Sequence, residues 1–186
     1  MNEILRVIKN RRSIRQFKTE QIKKEDLETI LEMAVYAPSA GNRQPWHFTV
    51  IQRKELIDEL SEAAKEMLKK DGQSPYSRMA ENESFHIYYH APTVIIVSGS
   101  LQGGFAQADC AAATQNILLA AEALGLGSCW VNLVMPAFKG EPGEELIKKL
   151  GIPEGYRPLY SIALGYKGTT ASPAPPRRRD CFNCIA

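Results

Sequence analysis

Three short runs of this chain carry side chains that bind or position small molecules. The first is RRSIRQF at residues 11–17, with Arg11, Arg12 and Arg15 around Ser13. Guanidinium forks make paired, charge-assisted hydrogen bonds to phosphate, and a hydroxyl adds one more donor. In an extended chain alternate side chains share a side, so Ser13 and Arg15 point together, and Arg11 joins them from the end of a helix. A solvated helix terminus, where cations meet the negative end of the dipole, explains the same arginines without any ligand. The second run is PSAGNRQPWHF at residues 38–48. It offers Ser39, Asn42 and Gln44, backbone amides freed by Gly41, a lock at Pro45 and an anchor at Trp46. Asn and Gln both donate and accept, so they read neutral heterocycles well; a capped turn between helix and strand is the plainer reading. The third run, GLGSCWVNL at residues 125–133, places two glycines beside a strand, where backbone can approach a planar ligand closely. It is not a dinucleotide fingerprint, which needs strand, glycines and helix in that order. Here the order is helix, glycines, strand, which also fits a helix C-cap at Gly125 followed by a core strand.

Other reactive residues point to less. His47, His86 and His90 lack metal-ligand spacing, and no Ser-His-Asp arrangement stands out, so neither a metal centre nor hydrolase chemistry is expected. Cys110 and Cys129 sit on apolar elements, where a thiol behaves as a small hydrophobe. Cys181 and Cys184 form CFNC after three arginines. That spacing suits a metal half-site or a redox disulfide, and the βαβ context of a thioredoxin motif is missing.

The elements that must hold these runs follow from apolar spacing. Residues 2–10, 24–36, 53–70, 105–124 and 143–150 read as helices, and 47–52, 93–98, 128–133 and 158–165 as strands. Residues 71–92, with Gly72, Pro75 and Pro92, lack a clean period and read as an irregular excursion with one short helix. Residues 105–124 are apolar on most sides, more than one small monomer can cover, which places this helix at a subunit interface. Strands interleaved with helices give an α/β sandwich, a central sheet with helices on both faces. The 186 residues make one domain, 1–186, in which 167–186 is an extended, proline-rich tail.

Composition narrows the classes. Hydrophobic residues are 44% and charged residues 24%, an ordinary globular balance. With 23 basic and 21 acidic residues the net charge is only +2, and neither basic run carries the interleaved aromatics of a strand-binding platform, so no nucleic acid partner is expected. No run reaches the length of a membrane span and no secretory leader is legible, so four cysteines do not imply disulfides and a cytoplasmic location is expected.

Taken together, RRSIRQF, PSAGNRQPWHF, the helix QNILLAAEALGLGSCW and the late strand ending ALGY resemble the nitroreductase family in order and spacing, from residue 4 to about residue 166. The resemblance implies an α/β (α+β) three-layer sandwich, its central sheet mixed but mainly antiparallel, in an intertwined homodimer with two FMN sites at the interface. It implies an oxidoreductase that takes electrons from NADH or NADPH and passes them, by ping-pong, to a small electron-poor acceptor such as a nitro compound, quinone or flavin. An FMN-storing or sensing protein without turnover is the alternative. Arg11, Ser13 and Arg15 match the family's phosphate and ribityl contacts, with Arg12 in the same run. Pro38, Ser39, Ala40, Asn42 and Gln44 match the loop that reaches the flavin from the other subunit. Trp130, Val131, Asn132 and Leu133 match the strand end facing the isoalloxazine, and Arg177 or Arg179 matches a basic residue that closes on the phosphate. Hydride transfer needs no protein acid or base, so no catalytic residue is assigned. The chain departs from longer members at Asn132, where an acid often stands, and in residues 78–90, which lack their Asn and Lys contacts.

Overall fold

The computed structural model describes residues 2–71 and 75–185. In chain order the elements are α1 (Glu3–Asn10), α2 (Lys24–Val35), β1 (Trp46–Ile51), α3 (Lys54–Lys70), α4 (Ser77–Glu81), β2 (Thr93–Ser100), α5 (Ala106–Ala123), β3 (Gly127–Trp130), α6 (Gly140–Lys149) and β4 (Tyr156–Gly165). Short 3-10 turns cover Ala40–Asn42 and Met135–Phe138. Gly72, part of the expected excursion, lies outside the described residues; the short helix expected in that excursion is α4.

The strands form one sheet in the order β1-β2-β4-β3, every neighbouring pair antiparallel. Among the described residues the parallel component of the expected mixed sheet is a single bridge, Ser13 to Ser128. Side chains alternate faces along a strand, and the sheet is apolar on both. Val94, Ile96 and Ala163 pack with Leu60, Leu68, Ala80 and Ile147 of α3, α4 and α6. Ile95, Val97, Ile162 and Leu164 pack with Ile30, Ala34, Ala113 and Ile117 of α2 and α5. These are the three layers of the sandwich. Each fully buried Leu or Ile contributes about 1.5–3 kcal/mol to holding them together.

Three boundaries shift for local reasons. β3 stops at Trp130 rather than Leu133: Val131 still donates its N–H to Ser161 O, but Met135 N–H then bonds Asn132 O and turns the chain. β4 begins at Tyr156, before Pro158; that proline lacks an N–H and sits beside the irregularity in the β2–β4 ladder at Val97/Ser98, where sheets tolerate it. α6 begins at Gly140, with Pro142 in its first turn. Gly143 there packs so tightly that a Cβ would stand 2.3 Å from the Phe138 carbonyl carbon.

The monomer covers more of α5 than its composition implies. Cys110, Ala113, Thr114, Ile117, Leu118 and Ala121 are buried against the sheet and α2. Its other side, at Asn116, Leu119, Ala120 and Ala123, lines an apolar groove of about 480 Å³ with Ile4 and Ile8 of α1 and Met33 and Tyr36 beside it. Among the described residues no helix is long and apolar enough to cross a membrane.

Candidate functional site

The run 12–16 lies along the outer edge of β3. Ile14 N–H bonds Ser128 O, and Gly168 N–H bonds Gln16 O, so the run is held between β3 and the start of the tail. Ile14 is buried and Ser13 and Arg15 are exposed, as alternation demands. Gly127 makes room for Ile14: a Cβ there would stand 2.9 Å from Ile14 Cγ2. Residues Arg12 to Gln16 and the tail from Thr169 to Pro173, with Pro175, line a groove of about 590 Å³. Arg12 caps its own helix: its Nη1 donates to Lys9 O at 2.8 Å and to Arg11 O at 2.6 Å. The helix-terminus reading therefore describes Nη1 of Arg12, while Arg12, Ser13 and Arg15 all line the groove and the buried Arg12 Nε has no hydrogen-bond partner among the described residues.

A second hollow, about 490 Å³, adjoins the first at Arg15. Its walls are Arg15, Tyr76, Met79, Tyr89 and Cys129 to Leu133. All four expected strand-end residues are present. Trp130 packs edge-on against Tyr160 at 4.8 Å between centroids and donates its indole N–H to Asn132 Oδ1 at 2.9 Å. Val131 is buried, and its carbonyl accepts from the Ser161 hydroxyl. At the floor, burial pushes the Cys129 thiol up, against the opposing pull of Arg15 and Ser13. Burial works against the Arg15 charge as well, but Cys129 and Tyr89 beside it outweigh that and raise its pKa. One end of the combined hollow carries Arg12, Ser13 and the tail hydroxyls; the other carries the rings of Tyr76, Tyr89 and Trp130, with Arg15 between them.

The 38–45 loop is elsewhere. Ala40 N–H bonds the Asp109 carboxylate near the start of α5, at 3.2 and 3.3 Å to its two oxygens. Gln44 N–H bonds Ser39 Oγ at 3.0 Å, and Gln44 Nε2 donates to Asn42 Oδ1 at 3.1 Å. Gly41, Asn42 and Gln44 all have positive φ, of 60, 54 and 47°. Non-glycine residues rarely adopt that conformation, and such strain concentrates at functional sites. Pro38, Ser39, Ala40, Asn42 and Gln44 line neither the groove nor the cleft. Within one chain they are not brought together with Ser13 and Arg15.

Arg177 and Arg179 are exposed and line neither hollow; the part of the tail that does is Thr169 to Pro173, with Pro175. Cys181 and Cys184 are free and exposed beyond it. Sequence reasoning missed Tyr76, Met79 and Tyr89, which the aperiodic excursion contributes to the cleft. It also missed a cluster in which ligand atoms of Asp58, His86 and His90 lie within 4.8 Å of one another. His86 Nδ1 accepts the N–H groups of Tyr88 and His90, so its proton sits on Nε2, which faces Asp58 Oδ1 at 3.2 Å. Asp58 also pairs with Lys54. Both ring nitrogens of His86 are committed, and the cluster is a hydrogen-bonded network rather than a ligand set.

The sequence model of the nitroreductase family matches residues 8–166. The chain belongs to the nitroreductase family. Its resemblance to other members extends over most of its length. A relative from Archaeoglobus fulgidus, which carries the provisional name NADH dehydrogenase/NAD(P)H nitroreductase, is 40% identical over 89% of this chain and 86% of its own. The crystal structure of a nitroreductase with bound FMN from Bacteroides fragilis is similar at a TM-score of 0.92 and 34% identity, covering 100% of both chains. A nitroreductase with bound FMN from Desulfitobacterium hafniense is similar at 0.91 and 38%, again over 100% of both. The nitroreductase sandwich expected from the sequence is therefore the fold of this chain.

Proposed function

We propose that this nitroreductase-family chain is an FMN-dependent oxidoreductase. It takes reducing equivalents from NADH or NADPH and passes them to a small, electron-poor acceptor such as a nitro compound, a quinone or a flavin, by ping-pong. The observation that carries the reading is the pair of hollows meeting at Arg15, cationic at one end and aromatic at the other. FMN is polar and anionic at its phosphate and flat at its ring, so the donor set fits it. The FMN bound to the two related nitroreductases supports the same choice.

The residues divide the work by position. Ser13 and Arg15 supply donors to the phosphate and ribityl end, Arg11, which acts on Cys129 but does not line the groove, adds its charge, and Thr169 to Pro173 with Pro175 wall that groove. Trp130 to Leu133 form the surface against which the ring lies. Bound FMN supplies the hydride chemistry; the protein supplies position, electrostatics and exclusion of water. Asn132 Oδ1 is engaged by the Trp130 indole N–H, so this side chain holds the cleft wall in place.

The working unit in this reading is a homodimer. The groove between α1 and α5 is apolar, and Ile4, Leu5 and Ile8 are 67, 51 and 50% exposed. A second copy is the occupant that also brings a 38–45 loop to a site its own chain leaves without one. The four free cysteines fit a reducing cytoplasm. The experiment is a visible spectrum of the purified protein before and after anaerobic NADH. Flavin that bleaches supports the enzyme; stoichiometric flavin that does not bleach with NADH or NADPH favours the storage or sensing alternative.

A further inference from the structure

We propose that Tyr89 is a positioning residue, holding the Arg15 guanidinium at the junction of the groove and the cleft. Tyr89 and His90 both have φ of 55°, two consecutive non-glycine residues in the left-handed region. Such a backbone is costly and persists only where its surroundings impose it. Here they do. Tyr89 N–H bonds His86 O at 2.9 Å, Ala91 N–H bonds Tyr88 O at 3.0 Å, and His86 Nδ1 accepts from the N–H of Tyr88 and of His90 at 3.1 and 3.3 Å. The Tyr89 ring rests edge-on against Phe85, with centroids 6.3 Å apart. The result is a half-buried ring aimed at one partner. The Arg15 guanidinium carbon lies over that ring, 5.8 Å from its centroid, where the negative face of the ring attracts the cation. Arg15 is exposed, and a fixed partner removes its rotamer freedom before a ligand arrives.

The inference rests on FMN being the ligand, but its first test does not. In the cofactor-free protein, NMR relaxation of the Arg15 Nε–H group reads the order of the guanidinium directly. It is ordered in the unaltered chain, and its order parameter falls below about 0.6 in Tyr89→Leu, which removes the aromatic face and keeps an apolar side chain. An unchanged order parameter overturns the proposal. The second test is FMN affinity in a double-mutant cycle. Tyr89→Leu weakens FMN about tenfold, equivalent to about 1.4 kcal/mol, and has no further effect once Arg15→Ala is present. An equal loss in both backgrounds, or none in either, also overturns it. If the unaltered chain takes up no FMN, the proposed function fails while the relaxation measurement still decides the role of Tyr89. Tyr89→Phe, which keeps the ring face, retains both the Arg15 order parameter and the FMN affinity of the unaltered chain; a loss in Tyr89→Phe as large as in Tyr89→Leu overturns the role given to the ring.

Discussion

Burying Ile14 while leaving Ser13 and Arg15 exposed turns a short basic run into a binding surface, and Gly127 is what lets Ile14 in. The same run shows how residue type alone misassigns a role. Arg11, Arg12 and Arg15 look equivalent in sequence, yet Arg12 turns its Nη1 back onto the carbonyls of Lys9 and Arg11. Arg15 borders both hollows. Replacing Arg15 with Ala removes a charge-assisted contact of about 1.5–3 kcal/mol. FMN affinity then falls more than tenfold, read by recovery of flavin fluorescence on dilution; an affinity equal to that of the unaltered chain contradicts the assignment. The alternation behind Ser13 and Arg15 was legible in sequence because strand geometry has a fixed period. Tyr89 was not, because its direction comes from a left-handed backbone set by His86, 28 residues from the Asp58 that faces it.

At the scale of elements, the long periodic segments were legible and the irregular ones were not. The helices 24–36 and 53–70 and the apolar strand 93–98 stand within a few residues of their expected places, since their apolar spacing is unambiguous. β3 was read too long because Val131 keeps one ladder bond after the strand has ended, and nothing in WVNL marks the turn made by Met135. The segment before β2 holds the clearest pH response. Burial, then the neighbouring His90, lowers the His86 pKa below its usual 6.5, against opposing pulls from Asp58 and Glu62. The folded chain therefore binds fewer protons than the unfolded chain as pH falls through that value. His86 contributes stability that is complete above about 6.5 and is lost below it. The thermal midpoint drops between pH 7 and pH 5, and His86→Gln flattens that drop; an equal slope in both proteins contradicts the role given to His86.

At the scale of the molecule, the sandwich, its two cores and the family were readable from the order of three motifs and the rhythm of the elements between them. The assembly of the site was less so, because one chain keeps the 38–45 loop away from Arg15. Exposed Ile4, Leu5 and Ile8 on α1 make the dimer testable. Ile8→Glu places a charge in the apolar groove and shifts sedimentation from dimer to monomer, with loss of bound flavin; a variant that stays dimeric and yellow contradicts an interface on this face. The central claim is that the joined hollows hold a flavin that NAD(P)H reduces, and its most direct test is the visible spectrum of the purified chain under anaerobic conditions. The account predicts a yellow protein with about one FMN per chain, the expected occupancy of one hollow pair, whose flavin absorbance is lost on adding NADH or NADPH and restored by an electron-poor acceptor. A protein that holds no FMN when it is supplied, or whose bound flavin neither nucleotide reduces, would contradict it.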